Sequence, residues 1–506
     1  MIEFPFGYER IQETSWAYLS SLLMLALFFK FNRFWTMRNL DLVLLILLAP
    51  GLLMVYHGTK SDRAVTSKVN APAIASAEKA LESGDLAKEA PSTGQESTTT
   101  SPGSGPEPTP VTELTGQQRL QRTGYIWLFG IGGVFLIRLL IDPVLVRRPM
   151  LEPNLSIGGL VFLGCSLMTF SFADIITANP AGDDLNGAIG AVKMVKREAV
   201  ESSQPNQLLE HGPGYPLVHV FPVIWTFSGG RAIMKTDTAE LAGSVQMEMA
   251  GKAVVIASHI AMVIGLIAIG FYHFNNFRSG VGMAVIYLMM PHTSIYAGHV
   301  IHLLPGVLVV WSVVMFRQPM VSGLLLGMAT GVAYYPFFLL PLWISFYWER
   351  GRGRFAIGMV MALLICVAGL LPTSPDYATF IAQLQTMFGF WLPRMEGLRG
   401  IWSLGWDPWF RVPVLVAFLA LCVSFIFWPI RKNLGTLIAY SAAVMVAVQF
   451  WHGYSGGVYL AWYVPLCVAV FFRPNLSERF ASNELHDSWI RRKIRVDGPQ
   501  NVVIPA

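Results

Sequence analysis

The residues of this sequence best suited to acid–base chemistry are two adjacent carboxylates, Asp183 and Asp184, in the string AGDDLNG. Such a pair, just after an apolar segment, can supply a general base or bind a cation. The same residues suit an ordinary turn followed by a helix N-cap, and on the pair alone that interpretation is the better supported. The same polar stretch later contains His211 and Tyr215, in the string HGPGYPL. The role of these four candidates therefore depends on what surrounds them.

Three histidines, His292, His299 and His302, form a second candidate group in the string PHTSIYAGHVIH. Histidines at a membrane edge can transfer protons or bind a phosphate, and they also serve as packing groups with one hydrogen bond. The spacing of His299 and His302 places both on one face of a helix. Two histidines three residues apart are a weak metal signal without a third ligand, so the sequence predicts no metal site. Tyr334 and Tyr335, further along this apolar region, are additional substrate-binding candidates.

Tryptophan and arginine are combined in residues 373–412, which include Arg394 and Arg399. This combination is typical of the headgroup level of a bilayer, and it predicts either an interfacial anchor or a wall over a lipid-linked substrate. In the second case Arg394 or Arg399 would bind a phosphate. His452, in the aromatic string WHGYS, and Asp174, near the end of an apolar segment, are secondary candidates.

The chain that must position these residues is strongly apolar. Only 13% of its 506 residues are charged, compared with about 25% in a typical soluble domain. Of the 67 charged residues, 39 lie in the three stretches 60–122, 183–252 and 473–506. We therefore expect an all-α polytopic membrane protein, with the lipid bilayer as its first partner. Its net charge of +5 lies in short clusters between apolar segments, a pattern that excludes a nucleic-acid surface.

About thirteen apolar segments are candidates to cross a bilayer, for which a helix needs roughly 20 residues. The predicted spans are 15–31, 41–57, 124–146, 155–178, 253–274, 280–292, 300–316, 319–333, 335–348, 355–372, 413–430, 434–450 and 455–472. Those between 280 and 348 are short and contain proline or glycine, which favours broken helices there. Within one span, Arg138 and Asp142 are four residues apart, and we expect them to form an ion pair.

Lysine and arginine are present in one set of loops and absent from the short loops that alternate with it. One set of loops contains Arg38, Arg148, Arg317, Arg350 and Arg431, whereas the short loops between them contain no lysine or arginine. The positive-inside rule places the basic set in the cytoplasm. The sequence therefore predicts an N-terminus outside and a C-terminus in the cytoplasm.

These observations divide the chain into five predicted parts. They are an N-terminal two-helix membrane segment (1–59), a disordered external tether (60–122), an extra transmembrane helix with its cytoplasmic loop (123–154), a membrane module (155–473) with external loops 179–252 and 373–412, and a cytoplasmic basic tail (474–506). The tether is predicted from its Ala, Ser, Thr, Pro, Gly and Glu content, because its apolar surface is too small to offset the entropy of ordering.

The membrane module resembles the GT-C class of membrane glycosyltransferases that use polyprenyl-phosphate sugars, most closely the family-87 mannosyltransferase-like group. The resemblance rests on an early Asp-Leu in an outside loop, a span with the pattern P…GH…H, and above all the string RQPMVSGLLLGMATGVAYYPFFLLPLW at Arg317–Trp343. It implies a GT-C-like helical fold and a catalytic aspartate at Asp184, with Asp183 beside it. The chain has Tyr334 where the family usually has a lysine before Tyr-Pro.

The resemblance also implies a substrate and a location. A mannose-like hexose would move from a polyprenyl-phosphate donor to an envelope glycan or lipid acceptor on the outer face of the bacterial cytoplasmic membrane. His292, His299, Arg394 and Arg399 are the candidates to meet the donor phosphate. A carboxylate pair permits a divalent cation but does not demand one, and no other cofactor is predicted.

Two other classes stay open at this point. One is a transporter or flippase of a lipid-linked substrate, and the other is an envelope polysaccharide polymerase or ligase. Transporters usually show repeated halves and sites at mid-membrane. This sequence shows no internal repeat, and its polar clusters lie at the predicted outside edge, which favours the enzyme.

Overall fold

The computed structural model describes most of the apolar part of the chain. It covers residues 11–82, 114–145, 151–178, 182–196, 212, 214–227, 240, 244–371, 376–378, 380, 381, 384, 395, 397–476 and 478–485. At Arg33, 62–82, Asp183 and Leu370 it describes the backbone alone. Within these residues the regular elements are helices, with isolated backbone bridges and no β-strand.

The helices of the described residues are connected mostly by short turns. In chain order they are α1 Glu13–Phe28, α2 Met37–Glu82, α3 Gly116–Leu140, α4 Ile157–Thr177, α5 Gly182–Lys196, α6 Tyr215–Thr226, α7 Val245–Ala268, α8 Phe277–Met289, α9 His292–Ile295, α10 Val300–Val314, α11 Pro319–Val332, α12 Leu340–Phe346, α13 Arg352–Leu370, α14 Arg411–Phe427, α15 Leu434–Trp451, α16 Val464–Phe472 and α17 Ala481–Glu484. Single 3-10 turns lie at Phe31–Arg33, Asp142–Val144, Tyr335–Leu339, Gly400–Ser403, Pro408–Phe410 and Leu460–Trp462.

Seven helical segments among the described residues are long and apolar enough to cross a membrane. They are Met37–Ser61, Gly116–Val144, Ile157–Thr177, Val245–His273, Arg352–Gly369, Pro408–Phe427 and Leu434–Trp451. Shorter apolar helices lie at Tyr215–Thr226, Phe277–Met289, Val300–Val314, Pro319–Val332 and Tyr335–Phe346. The predicted all-α membrane class is therefore confirmed, whereas the count of thirteen spans and the orientation of the termini stay predictions.

The small residues of α11 allow it to pack closely against α13. Gly323, Gly327 and Gly331 recur at intervals of four residues, so they lie on one face of the helix. A Cβ atom at Gly323 would lie 2.2 Å from the carbonyl oxygen of Phe355, and one at Gly327 would lie 2.4 Å from the Cβ of Ala362. The two backbones thus approach too closely for larger residues, as in other small-residue helix pairs in membranes.

A charge-balanced ion network lies in the interior of the bundle. The predicted pair is confirmed, since Arg138 Nη1 lies 2.8 Å from Asp142 Oδ1. The network is larger than predicted: Arg138 Nε also lies 2.7 Å from Asp41 Oδ1, and the Arg473 guanidinium pairs with Asp142. Two cations and two carboxylates therefore neutralise one another, as buried charges require.

The two ends of the bundle are named here by residues that lie at each. α10 runs from Val300 at one end of the bundle towards Arg317 at the other. Arg431 and Lys432 lie between α14 and α15, and α15 then runs back to His452 at the first end. We call the end that holds Arg317, Arg431 and Lys432 the basic end. The opposite end, where α10 begins and α15 ends, is called the Asp184 end.

The segment predicted as a tether, 60–122, is helical at both of its ends. α2 continues to Glu82, through the alanine-rich string APAIASAEKALE, because alanine is the strongest helix former. α3 begins at Gly116, where the Thr115 side chain accepts a hydrogen bond from the backbone N–H of Gln118. Residues 83–113 lie outside the described part of the chain, and the tether and its bounds stay a prediction.

Candidate functional site

The Asp184 carboxylate is held at a point where three helices meet. It lies near the start of α5 and is only 1% exposed. The Tyr215 hydroxyl, from α6, donates a hydrogen bond of 2.5 Å to Asp184 Oδ1. The backbone N–H of Val300, at the start of α10, lies 3.2 Å from Oδ1 and 3.3 Å from Oδ2. The described part of the predicted loop 179–252 therefore includes helices α5 and α6, and Tyr215 of α6 and Val300 of α10 orient this side chain from two directions.

Two glycine contacts explain how Tyr215 reaches the carboxylate. Gly187 follows Asp184 by three residues, and a Cβ atom there would lie 2.7 Å from ring atoms of both Tyr215 and His219. The chain before Tyr215 is anchored to the end of α11, because the Gly214 N–H donates to the Gly331 carbonyl at 2.8 Å. The small-residue helix that packs against α13 thus also fixes the approach of α6 to α5.

The surroundings of Asp184 favour a negative charge. The N-terminus of α10 presents its free N–H groups and the positive end of its dipole to the carboxylate. A cavity of about 10 Å³, the size of one water molecule, lies beside it and is also lined by Lys252 and Gly298. Lys252 Nζ donates to Glu248 Oε1 at 2.6 Å and to the Ile176 carbonyl at 2.8 Å.

The described side chains contain no group of three or more His, Cys, Asp or Glu that could hold a metal ion. Asp184 instead accepts hydrogen bonds from a phenol and a backbone amide. The structure describes the backbone of Asp183 but not its side chain. Of the predicted carboxylate pair, only the Asp184 carboxylate is therefore located.

A series of stacked aromatic and imidazole rings connects the candidate His302 to the candidate Tyr335. His302 lies between Tyr296 and Tyr459, with ring centroids 4.4 and 4.3 Å away. Tyr459 contacts His452 at 4.7 Å, and His452 stacks on Tyr335 at 4.3 Å. We call these five residues the ring column.

The ring column joins the histidine group to the Asp184 site. His299 is the N-cap residue of α10, so it precedes the helix that carries His302, and the centroids of the two rings are 5.3 Å apart. His299 is also the residue directly before Val300, whose N–H binds Asp184. His299, His302, Tyr335 and His452 therefore share the Asp184 end of the bundle with Asp184 and Tyr215.

His292 and His452 are neutral at this end. Burial, and then the neighbouring His259, lower the pKa of His292 to about 3. Burial, and then the Arg411 guanidinium, lower the pKa of His452 to about 3. Neither imidazole is a cation at neutral pH, so each could serve a phosphate only as a hydrogen-bond donor.

His292 also has unsatisfied polar atoms. Neither of its ring nitrogens has a hydrogen-bond partner in the described part of the chain. It lines a cavity of about 10 Å³ with His259, Tyr287 and His302. A single water fits this volume and would supply the missing partner.

Arg399 reaches the same region through its backbone. Its N–H donates to the Gly453 carbonyl at 2.8 Å, and its carbonyl accepts from the Ser455 N–H at 3.4 Å. The exposed Arg399 side chain thus projects from a segment that adjoins His452. Arg411, which no sequence pattern indicated as a candidate, donates from Nε to the Trp451 carbonyl at 3.2 Å and is buried.

The remaining candidates are less well connected to this site. Tyr334 is partly buried just before the turn Tyr335–Leu339. Asp174 is buried near the end of α4, one residue before Ile175, which lines the cavity beside Asp184. His211 and Arg394 lie outside the described residues.

Three polar residues of the Asp184 end are not predicted by the sequence. Lys252 is one of many charges in the predicted loop 179–252, although it lines the same cavity as Asp184. Arg411 lies at the end of the tryptophan- and arginine-rich region 373–412, and Tyr459 lies in an aromatic apolar segment, but no local pattern singles out either residue. Only the aromatic string around His452 indicates that this region contains rings, and their partners depend on tertiary packing.

Comparisons with family models, with curated proteins and with solved structures found no match for this chain.

Proposed function

We propose that this protein is an integral-membrane glycosyltransferase. It would transfer a mannose-like hexose from a polyprenyl-phosphate donor to a glycan or glycolipid acceptor at the outer face of the bacterial cytoplasmic membrane. The observation that carries this proposal is the buried Asp184 carboxylate, oriented by the Tyr215 hydroxyl and the Val300 N–H at one end of an apolar helix bundle. The GT-C resemblance supplies the reaction class, and Asp184 is the position at which it implies the base.

In the proposed reaction, Asp184 accepts the proton of an acceptor hydroxyl as that oxygen attacks the anomeric carbon of the donor sugar. A new C–O bond forms to the acceptor, and the bond between the anomeric carbon and the phosphate oxygen breaks. The phosphate leaves with the electron pair on its oxygen, and polyprenyl phosphate stays in the bilayer. Tyr215 and Val300 act as positioning groups, because they fix the direction of the Asp184 lone pairs.

The leaving phosphate requires cationic partners. Arg399 extends from the segment beside His452, and Lys252 lines the cavity next to Asp184. Arg394, which lies outside the described residues, is the third candidate. The neutral His292 and His452 fit hydrogen bonding better than charge neutralisation.

The acceptor must reach a carboxylate that is covered in this structure. Asp184 is 1% exposed and the cavity beside it holds one water, so a sugar cannot enter without a separation of the surrounding elements. Opening and closing of this kind excludes water during glycosyl transfer in a membrane-edge site.

The direct test is Asp184→Asn. An amide keeps the shape of the side chain but cannot accept the proton, so we expect sugar transfer from a polyprenyl-phosphate mannose donor to fall by about 10²–10⁴-fold. The assay measures labelled product in proteoliposomes that contain the purified protein and candidate acceptors. Expression and thermal stability should remain close to those of the native protein.

Asp407→Asn is the matched control, since Asp407 is an exposed aspartate near the same end of the bundle. It should retain full activity. If Asp184→Asn were fully active and Asp183→Asn inactive, the base would be the neighbouring residue. Activity in the double variant would remove the proposed base altogether.

The same proteoliposomes distinguish the enzyme from a transporter. A glycosyltransferase forms a new glycosidic bond, whereas a flippase moves an intact lipid-linked substrate between leaflets. Translocation of intact donor that depends on Asp184, without any glycosylated product, would contradict the proposed function.

A further inference from the structure

A cavity that contains basic side chains lies at the basic end, far from Asp184. Its volume is about 670 Å³, within the range of ligand pockets. The ends of α12 and α14 form two of its walls, and the C-terminal segment Phe480–Asn483 forms a third. The mechanism proposed for Asp184 uses none of these residues.

The third wall is fixed by specific contacts. The Leu434 N–H donates to the Arg479 carbonyl at 2.8 Å, and Arg350 Nη1 donates to the Ser482 carbonyl at 3.0 Å. Arg317 Nη2 pairs with Glu484 at 2.7 Å. The cavity is therefore enclosed by elements that are tied to the bundle.

Lys432 places a buried positive charge in this cavity. It is 4% exposed, and Nζ donates to Ser345 Oγ and to the Pro429 carbonyl, each at 2.8 Å. A longer contact of 3.5 Å reaches the Ile426 carbonyl. These acceptors are all neutral, and none of the described carboxylates forms an ion pair with Lys432. Burial lowers the pKa of Lys432 to about 8, so the ammonium is charged at neutral pH but lacks a counter-ion among the described residues.

Arg431 adds a second cation at the rim. Its side chain is exposed and has no partner among the described residues. Glu349 also lines the cavity but is exposed, so the lining retains a net positive charge. A planar guanidinium with free N–H groups suits the oxygens of a phosphate, and the buried ammonium suits it as a point charge.

The mouth of the cavity is apolar. Trp348, Phe427 and Ile430 line it and are 60%, 71% and 92% exposed. In a membrane-spanning chain such side chains face lipid, and tryptophan is typical of the headgroup level. A ligand with a phosphate and an acyl tail would match both parts. The chain beyond Leu485 contains the basic string RRKIR, whose charge has the wrong sign for this cavity.

We propose that this cavity binds a phosphate-bearing anion, and that its source is the headgroup of an anionic phospholipid. The phosphate would lie between Lys432 and Arg431, with the acyl chains along Phe427 and Ile430. Basic pockets between membrane helices on the positive side of a protein bind anionic headgroups in this way.

The test is a titration of the full-length protein in detergent with dioleoyl phosphatidylglycerol, with bound lipid counted by native mass spectrometry. Dioleoyl phosphatidylcholine serves as the zwitterionic comparison. We expect preferential retention of phosphatidylglycerol, weakened about tenfold by Arg431→Gln and by Lys432→Gln, since hydrogen bonds to charged groups contribute on this scale. Lys30→Gln, an exposed lysine in another predicted cytoplasmic loop, should bind like the native protein.

A second arm separates the two sources of phosphate. Millimolar inorganic phosphate should leave the lipid bound if the acyl chains contribute. Displacement by inorganic phosphate would support the phosphate site and assign it to a soluble phosphate compound. Equal lipid retention by the native protein, Arg431→Gln and Lys432→Gln would overturn the proposal. The Arg431 side chain is exposed, so that variant stays informative if Lys432→Gln is unstable. The readout is binding, so it is independent of whether Asp184 catalyses sugar transfer.

Discussion

At the scale of single residues, the Asp184 end combines one oriented carboxylate with several neutral rings. Asp184 is bound by Tyr215 and Val300, whereas His452 and His302 are stacked between tyrosines. A neutral imidazole can donate one hydrogen bond and accept another, but it supplies no net charge. The chemical roles therefore separate: Asp184 is the candidate proton acceptor, while the stacked rings are neutral packing groups at the same end of the bundle.

The buried histidines predict how stability depends on pH. The pKa of His292 is lowered to about 3 in the folded protein, whereas an unfolded histidine has a pKa of about 6.5. As the pH falls below 6.5, the unfolded state binds a proton that the folded state does not, so folding stability is lost as the pH falls from about 6.5 towards 3. By pH 5 the loss from one such histidine is about 2 kcal/mol.

His292→Leu tests this prediction, because the side chain has no hydrogen-bond partner in the described part of the chain that the substitution would remove. Thermal unfolding in detergent should be measured at pH 7.5 and at pH 5 for both proteins. The variant should lose less stability on acidification than the native protein, by the same amount of about 2 kcal/mol. Parallel losses in the two proteins would show that His292 does not titrate as described.

At the scale of helices, the close pairing of α11 and α13 connects the small-residue string to the site. α11 ends at Val332, and Gly331 accepts the hydrogen bond from Gly214 that fixes the start of α6. The turn Tyr335–Leu339 follows at once and places Tyr335 in the ring column. A change in the spacing of α11 and α13 should therefore reach both Tyr215 and Tyr335.

Gly327→Val is the corresponding variant. Even a Cβ atom at this position lies 2.4 Å from the Cβ of Ala362, so valine must push the helices apart. Overpacking of this kind costs about 1–3 kcal/mol, and we expect a lower unfolding temperature in detergent. Gly130→Val is the matched control, because Gly130 lies within α3 and a Cβ atom there would meet no neighbouring element within 4 Å. Equal stability of the two variants would contradict the close contact.

The helices are more predictable from sequence than their contacts. Apolar length alone locates the long spans, and proline and glycine content correctly indicates a broken helix after Val332, where the structure has the turn Tyr335–Leu339 followed by α12. The spacing of His299 and His302 predicts one helical face, whereas in the structure His299 is the N-cap residue before α10 and only its ring contacts that of His302. No local pattern predicts that Tyr215 binds Asp184 or that Tyr459 stacks on His302, because these pairs are 31 and 157 residues apart and meet only through helix packing.

At the scale of the whole molecule, the two proposed sites lie at opposite ends of the bundle. Arg317, Arg431 and Lys432 lie at one end, and Asp184 lies at the other. The alternation of basic loops along the sequence predicts the same division. Orientation is nevertheless a property of the protein in its membrane, since the helices alone do not specify which end faces the cytoplasm.

Cysteine labelling in intact spheroplasts tests that orientation. Ser403 is exposed at the Asp184 end, and Asn32 is exposed in the turn between α1 and α2, which belongs to the basic loops. By the positive-inside rule, Ser403→Cys should react with a membrane-impermeant maleimide from outside, whereas Asn32→Cys should react only after permeabilisation. The native cysteines form a low background, because Cys366, Cys422 and Cys467 are buried and Cys165 lies within the apolar helix α4. The reverse labelling pattern would place Asp184 on the cytoplasmic side, where a donor and acceptor on the outer face could not reach it. It would thereby exclude the proposed reaction even if Asp184 proved essential.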